Sequence, residues 1–351
     1  MSKMRMNELL LESYDYDLPK ELIALNPIMP QENARLLVYD RKDHSITHTT
    51  FRDFAKFLPK ETLLVFNDTK VIPARIYGKK LQKEALGGGK IEALFHKEIM
   101  ENLYLMQLKG RLKIGNIVEF VGVFAKILKD CGMGFKEVSF FRDEKCLLPL
   151  SRQEFFDFLE QFGHIPLPPY IKREDNQEDR VNYNSVFAKN VGAIAAPTAS
   201  LHFNQEAFKA LQRDFESAFV TLHVGAGTFI GVSTENILEH KMHQETFVIP
   251  KESVEKIKKV SHITAIGTTA TRVVEYFART KQTQGECDLF LHPQNKPIIT
   301  NALLTNFHLP KTTLLMLVAS FVGLEETKRI YKQAIEEKYR FYSYGDGMLV
   351  L

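Results

Sequence analysis

The chain of 351 residues has few cysteines and no long apolar run. Its three cysteines, Cys131, Cys146 and Cys287, show no CxxC spacing. This scarcity fits a reducing compartment and argues against a cysteine-based metal site. The longest apolar run, residues 314–323, is far shorter than the roughly 20 residues of a membrane span, and the amino-terminal segment lacks the apolar core of a signal peptide. We therefore expect a soluble, cytoplasmic protein.

The chain also lacks a strong net charge. Its 46 Lys and Arg against 43 Asp and Glu give +3 at pH 7, which by itself identifies no polyanionic partner. The distribution is uneven, because residues 75–145 contain 14 Lys and Arg but only 9 Asp and Glu. That surplus would suit phosphates, since phosphate contacts are electrostatic and largely independent of sequence. A lysine-rich surface in contact with water is the simpler explanation of the surplus.

Two common ligand motifs are missing. There is no Walker A sequence, which argues against nucleoside triphosphate hydrolysis, and the glycines of GAGTFIG (225–231) do not have the GxGxxG spacing of dinucleotide-binding proteins. HKMHQE (240–245) supplies His240, His243 and Glu245 as potential zinc ligands, joined by distant histidines. No HExxH helix supports this zinc site, so we expect no bound metal and assign the histidines to acid–base work near neutral pH.

What the sequence does contain is a concentration of polar residues in residues 192–231. GAIAAPTASLHF and FVTLHVGAGTFIG each follow an apolar run with hydroxyl groups, histidines or glycines. Buried polar groups need partners, so two such strand ends are more typical of a ligand crevice than of a core. The residues that would share its mouth are Thr198, Ser200, His202, Thr221 and His223.

Strand and helix patterns alternate outside residues 75–149, whereas that segment contains only short β-like runs separated by glycines. We predict a discontinuous α/β sandwich domain (1–74 and 150–351) with an inserted small β-barrel domain (75–149). A capping box at Ser151 and Glu154, a cap at Asn204 and a stop at Gly323 mark helices. We also predict a strand at 288–292 and a mobile loop at 172–180.

Further polar motifs lie at the ends of the predicted strands. In FNDTK, Asn67 and Asp68 either form a tight Asx turn or place Asp68, with Arg75, at the crevice. IGTTATR either offers free helix amides to an anion near Thr268 and Thr269 or simply uses Thr268 as the N-cap. Near the end of the sequence, turns beside apolar runs present additional candidates: Asn306, His308, Lys311, Tyr344 and Asp346.

Seven blocks together resemble a known family: FNDTKVIPAR, GAIAAPTASLHF, VTLHVGAGTF, HKMHQE, GTTATR, LLTNFHLPKTTLLMLV and YRFYSYGDGML. They are similar, in order and over essentially the whole chain, to the S-adenosylmethionine:tRNA ribosyltransferase-isomerases of queuosine biosynthesis. The resemblance implies a monomeric transferase with a discontinuous α/β domain and an inserted β-barrel. It further implies a tRNA modification in which the ribosyl group of S-adenosylmethionine is transferred and isomerised onto the aminomethyl group of preQ1 at the wobble position.

The implied products are epoxyqueuosine-tRNA, adenine and methionine, so S-adenosylmethionine is a consumed substrate and no cofactor is expected. The chemistry needs a base beside the sulfonium, and the hypothesised proton-transfer residues are His202, His223, His243 and His308. Carboxylates would hold the sulfonium and amine: Asp68, Glu245 and Asp346. Cations would hold a carboxylate or RNA phosphate: Arg75, Arg272 and Lys311. Aromatic rings would stack on a base or face the sulfonium: Phe203, Phe229 or Tyr344.

The remaining substrate-binding predictions are small or hydroxyl residues of the same motifs: Thr198, Ser200, Thr221, Gly225, Gly227, Thr228, Thr268, Thr269 and Asn306. Two other classes compete. A metal-dependent hydrolase would use the histidines as ligands, and a noncatalytic RNA-binding protein would use the basic insert but leaves the polar strand ends unexplained.

Overall fold

The computed structural model describes residues 7–81, 89–168, 170–171, 173–225 and 231–351. The chain divides into two compact units, the first comprising Met1–Lys70, Tyr170–Lys172 and Asn182–Leu351, the second Val71–Pro169 and Arg173–Val181. Among the described helices, none combines the length and apolarity needed to cross a membrane.

The strands are β1 (Arg35–Tyr39), β2 (Ile46–Thr50), β3 (Thr62–Asn67), β4 (Thr69–Val71), β5 (Arg75–Lys80), β6 (Lys90–Met100), β7 (Leu103–Lys109), β8 (Ile117–Phe120), β9 (Val123–Gly132), β10 (Phe135–Phe141), β11 (Asn190–Ala193), β12 (Glu216–Leu222), β13 (Glu245–Val248), β14 (His262–Ile266), β15 (Gln284–Cys287), β16 (Ala302–Asn306) and β17 (Gly347–Val350). The α-helices are α1 (Arg152–Phe162), α2 (Gln177–Asn182), α3 (Gln205–Asp214), α4 (Lys251–Lys259), α5 (Thr268–Thr280), α6 (Thr313–Val322) and α7 (Leu324–Glu336).

The first unit is built on a nine-stranded sheet in the order β15-β13-β12-β3-β14-β16-β17-β1-β2. Its centre is parallel: β12 and β14 flank β3, and β16 continues beside β14. The strands β13 and β17 run antiparallel to their neighbours β12 and β16. The carboxyl ends of the four central strands therefore share one edge of the sheet with the first residues of β13 and β17.

The central strand β3 shows why the sequence folds this way. All six residues of TLLVFN are buried, as expected for a parallel strand covered on both faces. Because successive side chains point to opposite faces, Leu63 and Val65 join one core with residues of α5, whereas Leu64 and Phe66 join the other with Phe208 of α3.

Helix caps agree with the sequence predictions in several places. Ser151 and Glu154 form the predicted capping box, and the side chain of Asn204 accepts from the Ala207 amide at 2.8 Å. The predicted stop at Gly323 ends α6. At α5 the alternative interpretation of Thr268 as the N-cap is wrong, because Gly267 occupies that position with φ 97° and Thr268 is the first helical residue.

The second unit contains a closed barrel in the order β10-β7-β6-β5-β8-β9. Apolar side chains alternate into its interior, as β7 illustrates with Tyr104, Met106 and Leu108. Phe155 of α1 stacks on Tyr104 at a centroid separation of 3.8 Å and extends that core. The predicted class, an α/β fold with an inserted small β-barrel, is confirmed, while the compact unit comprises Val71–Pro169 and Arg173–Val181 and so includes α1.

Two local predictions were wrong. The strand expected at 288–292 lies instead at Gln284–Cys287, where β15 forms the edge of the sheet against β13. The stretch 172–180 was predicted to be a loop, yet it leads into α2. There Asn176 Oδ1 accepts from the Asp179 amide at 3.0 Å and Asp179 Oδ2 accepts from the Asn176 amide at 2.9 Å, a reciprocal cap that starts the helix.

Candidate active site at the carboxyl edge of the sheet

Asp68 anchors a buried polar network just after β3. Its carboxylate accepts from the Thr221 hydroxyl at 2.6 Å and from the Asn190 amide at 3.0 Å. Asn67 Oδ1 accepts from the Thr69 amide, so the Asx turn is present as well. The two interpretations of this motif are compatible, because the turn is what holds Asp68 at the sheet edge.

His223 lies beside this network, immediately after β12. One ring nitrogen, Nδ1, is 2.8 Å from the Thr69 hydroxyl, and the ring packs directly over Gly192. A side chain at position 192 would meet the imidazole at 2.9 Å, which explains the glycine there. Burial lowers the pKa of His223, and the nearby charge of Asp68 opposes that shift. The residue is only partly buried, so protons can reach it.

A second network surrounds Asn306 at the end of β16. Its Oδ1 accepts from the Thr198 hydroxyl at 2.9 Å, and its Nδ2 faces the carbonyls of Tyr342 and Asp346. That orientation makes Nδ2 the donor to His202 Nε2 at 3.1 Å. Because an amide nitrogen can only donate, the neutral His202 ring must carry its proton on Nδ1.

His202 is held in that state by its surroundings. The ring stacks on Phe51 at 3.9 Å, and burial, assisted by the charge of Arg340, lowers its pKa to about 3. At neutral pH it is therefore a hydrogen-bond donor at Nδ1 and a poor base. Ser200, two residues earlier, has a buried hydroxyl for which the described residues provide no hydrogen-bond partner.

His308 is also buried, just beyond β16. Its Nε2 lies 2.8 Å from the Thr305 hydroxyl, its amide donates to Tyr331, and Tyr16 donates to its carbonyl. Burial lowers the pKa of His308 to about 3. These contacts tie the residue to the surrounding core.

The start of α5 lies between the two networks. Gly267 needs its positive φ here, and the Thr269 hydroxyl accepts from Asn67 Nδ2 at 3.0 Å. Within the described parts of the chain, no side chain caps the helix. The first amides of this 13-residue helix, near Thr268 and Thr269, thus give the sheet edge a partial positive charge.

A cavity that is open to solvent lies at the β13 end of the edge. Its polar wall is the buried ion pair of Glu245 and Arg272, in which the Glu245 carboxylate also accepts from the Gly225 amide at 3.0 Å. Desolvation opposes the charge on Arg272, but Glu245 raises its pKa overall. The remaining walls are mainly apolar, with His240 and His243 among the polar residues: Met242, Leu289, Phe290, Leu291, Thr313, Leu314 and Leu317.

Several predicted site residues make other contacts instead. Phe203 packs among Phe51, Phe54 and Phe66 and is 3 % exposed, so its ring belongs to the core. The ammonium of Lys311 is 2.8 Å from both Glu12 and Asp15, which already match its charge. These contacts contradict stacking by Phe203 and leave Lys311 little charge for an anion.

Other predicted residues lie in separate places. Arg75 belongs to the second unit, where it pairs with Glu92 at 3.4 Å and donates to the Leu167 carbonyl. Tyr344 is 2 % exposed and meets Tyr183 edge to face. Gly227, Thr228 and Phe229 fall outside the described residues.

Asp346 closes a loop at the start of β17. Its carboxylate accepts from the amides of Arg35 at 3.0 Å and Arg340 at 2.8 Å, and burial raises its pKa against those bonds. Sequence reasoning did not assign three residues to the site: Asn190, Arg340 and Asn67, which it considered only as a turn residue. A charged residue inside the quoted YRFYSYGDGML block was the available signal for Arg340.

The described side chains include no group of three or more His, Cys, Asp or Glu positioned to hold a metal ion. His240, His243 and Glu245 of the zinc interpretation line one cavity, whereas His202, His223 and His308 each have the separate partners given above.

The described residues form a mixed nine-stranded sheet with a polar carboxyl edge and a closed barrel, and comparison with known proteins defines the family. Residues 11–350 match the family described as queuosine biosynthesis protein, and the chain belongs to that family. A relative from Campylobacter jejuni named S-adenosylmethionine:tRNA ribosyltransferase-isomerase is 53% identical over 98% of this chain and 99% of its own. A Helicobacter pylori relative of the same name is 53% identical over 99% and 100%.

The architecture also has a solved counterpart. A crystal structure from Thermotoga maritima, described as S-adenosylmethionine tRNA ribosyltransferase, matches 97% of this chain and 100% of its own with a TM-score of 0.52 and 31% identity.

Proposed function

We propose that this protein transfers and isomerises the ribosyl group of S-adenosylmethionine onto the aminomethyl group of preQ1 at the tRNA wobble position. The products are epoxyqueuosine-tRNA, adenine and methionine, and the donor is consumed without a further cofactor. The activity named for relatives that are 53% identical over nearly the full chain supports this proposal. The enzyme acts as a cytoplasmic monomer.

The observation that carries the proposal is the convergence of the predicted polar residues on one sheet edge. Asp68 and Thr221 share one hydrogen-bonded network, and Thr198, His202 and Asn306 share another. Between them lie the uncapped amides of α5. An edge with donors, carboxylates and a titratable imidazole meets the needs of a sulfonium nucleoside that must lose a proton and then adenine.

His223 is the base in this proposal. Of the histidines along the central edge, His202 and His308 are buried and have pKa values near 3, whereas His223 is partly open and held by Thr69 at only one nitrogen. A positioned imidazole with a pKa on the acidic side of 6.5 is deprotonated at neutral pH and ready to accept a proton. His202 serves as a fixed Nδ1 donor.

The cavity at Glu245 takes the acceptor base. Its apolar wall of Leu289, Phe290 and Leu314 suits the flat face of a deazaguanine, and the Glu245 carboxylate suits its aminomethyl group. A base stacked in an anticodon loop must first be splayed out to enter such a pocket. His243, exposed at this cavity, is near enough to the mouth to exchange protons with the amine.

The direct test is to incubate the protein with S-adenosylmethionine and preQ1-containing tRNA and to measure free adenine and modified tRNA by mass spectrometry. We expect both products, at a rate unaffected by a metal chelator. The same tRNA with guanine at the wobble position is the matched control and should release no adenine. Adenine release that does not depend on preQ1, or that the chelator abolishes, would contradict the proposal.

The histidine roles have their own test. His223→Ala should retain donor binding yet lose turnover by roughly 100-fold or more, the usual range for a general base. His202→Ala should also slow turnover while leaving some activity, since it removes a donor. His44→Ala, a substitution at an exposed histidine, is the control. Unchanged rates in both site variants would remove histidine chemistry from this edge.

A further inference from the structure

A second, small pocket lies at the β17 end of the sheet edge. It is reached past the segment that precedes β1 and is bounded by the 3₁₀ turn that carries His202. The lining includes Gln31, Leu201, His202, Arg340, Ser343 and Tyr344.

The loop 340–346 shapes one wall of this cavity. It is closed at its neck, because the Asp346 amide donates to the Arg340 carbonyl at 2.8 Å while the Arg340 amide donates to the Asp346 carboxylate. Inside the loop Tyr342 has φ 75°, an uncommon conformation for a bulky residue, and a Cβ on Gly345 would meet the Arg340 carbonyl oxygen at 2.5 Å. Such strain is maintained where the surrounding structure requires a particular arrangement.

The guanidinium of Arg340 has an unused edge. Its Nη1 donates to the Asn26 carbonyl at 3.2 Å, whereas Nε and Nη2 are buried without a hydrogen-bond acceptor among the described residues. Nε and Nη2 form the planar fork that binds a carboxylate through two parallel hydrogen bonds. A buried donor left unsatisfied is unfavourable by an amount comparable to a lost hydrogen bond.

Asp346 does not fill that fork. Its nearest oxygen is 3.7 Å from Arg340 Nε, beyond hydrogen-bond range, and both of its oxygens accept from the backbone amides of Arg35 and Arg340. The carboxylate therefore offsets part of the charge from one side but is held back from the fork. His202 adds a third donor to the cavity wall, since Asn306 fixes its proton on Nδ1.

We propose that Arg340 and His202 form a carboxylate-binding subsite. This inference rests on the proposed function: the ligand is the α-carboxylate of the methionine part of the donor. A planar carboxylate matches the two-pronged fork, and the small cavity favours the end of a small molecule over an RNA phosphate. The assignment gives Arg340 the role that sequence analysis divided among Arg75, Arg272 and Lys311.

The subsite and the Glu245 cavity lie towards opposite ends of the sheet edge. A donor anchored at Arg340 therefore leaves the Glu245 cavity open for the acceptor base.

Calorimetry with two ligands tests this subsite without any requirement for turnover. Wild-type protein and Arg340→Gln are each titrated with S-adenosylmethionine and with its decarboxylated analogue, which lacks only the carboxylate. We expect Arg340→Gln to weaken S-adenosylmethionine binding about 10- to 100-fold, as for a lost charged hydrogen-bond pair. Its affinity for the analogue should stay within about twofold of wild type. Arg340→Lys should recover part of the loss because the charge remains.

Arg329→Gln is the matched control, since Arg329 pairs with Glu326 on α7, and it should bind both ligands as wild type does. Equal weakening of both ligands by Arg340→Gln, or equal binding of both ligands by the wild type, would overturn the subsite. A loss of tRNA affinity with unchanged donor affinity would overturn it in favour of a phosphate site. A wild-type protein that binds neither ligand would instead overturn the proposed function itself.

Discussion

The carboxyl edge of the large sheet and the interior of the barrel bury different kinds of side chain. At the edge, Asn67, Asp68 and Asn306 are at most 7 % exposed, and each has several hydrogen-bond partners. The inward positions of the barrel are almost entirely apolar. Among the described barrel strands, the buried polar residues are Ser139 and Lys136, whose ammonium pairs with Asp130 at 2.8 Å.

This difference assigns the two units different work. A buried polar network is stable only when its members are satisfied, and it fixes side chains in place before a ligand arrives. A barrel filled by aromatic and aliphatic side chains leaves its interior no chemical role. Exposed lysines of the barrel strands, such as Lys79, Lys90 and Lys97, lie on its outer surface.

The largest effect should come from breaking the buried ion pair at the edge. Glu245→Ala leaves Arg272, whose side chain is 8 % exposed, without its carboxylate and should lower the free energy of unfolding by roughly 3 to 5 kcal/mol. Urea denaturation measures the loss. The double variant Glu245→Leu with Arg272→Met should regain most of the stability but no acceptor modification. A loss below about 1 kcal/mol in the single variant would contradict a buried pair.

The second-largest effect should come from acidification, which should destabilise the sheet edge. Well above pH 6.5, His202 and His308 are neutral whether the chain is folded or not. Below it the unfolded chain protonates both residues, whereas in the folded chain burial holds their pKa values at about 3. Stability is therefore complete above pH 6.5 and falls towards pH 3, by about 2 kcal/mol per histidine at pH 5.

Urea titrations of the wild type and His202→Gln at pH 7.5 and 5 isolate the contribution of the His202 imidazole. The raised pKa of Asp346 changes stability with the opposite sign, but it is present in both proteins and cancels in the comparison. The variant should lose less stability on acidification. Equal losses would show that His202 protonates freely in the folded state.

A small cavity created in the barrel core should have a smaller effect and should change only stability. Ile127 is fully buried, and Ile127→Val should lower the free energy of unfolding by about 1 kcal/mol. Adenine release per folded molecule should equal that of the wild type. A change in turnover at constant folded fraction would show that the barrel core influences the chemistry.

The smallest stability effect should accompany the loss of two barrel lysines. Lys79 and Lys90 are directly opposite each other in the β5–β6 register, and like charges so placed repel. Replacing both by Gln should change stability by less than about 0.5 kcal/mol. If the barrel surface contacts tRNA, the salt dependence of tRNA affinity should fall by up to about two counterions. Lys251→Gln with Lys258→Gln on α4 is the charge-matched control, and an identical slope change in both would deny the barrel this role.

Much of the fold could be predicted because local patterns and global structure agree. The caps at Ser151 and Asn204 and the apolar run of β3 are each short-range signals with one structural outcome. The position of β15 could not be predicted, because QGEC has neither an apolar run nor clear alternation and three of its four residues are exposed. Its pairing with β13 supplies what its own sequence lacks.

The site was less predictable than the fold. Asp68 and Thr221 follow apolar runs, so their positions at strand ends could be inferred, but their direct hydrogen bond depends on β12 pairing with β3 across about 150 intervening residues. Nor does local sequence distinguish Lys311, which pairs with Glu12 and Asp15, from Arg340, whose Nε and Nη2 have no hydrogen-bond acceptor among the described residues. Both are cations in turns, and only tertiary contacts separate them.

The place of β17 in the sheet has a consequence for biosynthesis. This strand lies between β16 and β1, so the hairpin β1–β2 joins the rest of the sheet only through residues 347–350. During translation β1 cannot pair with β17 until about 300 further residues have left the ribosome, and until then its free edge is exposed to mispairing. The loop with Arg340 and Asp346 forms at the same late stage, so a nascent chain can hold most of its secondary structure and still lack the proposed carboxylate subsite.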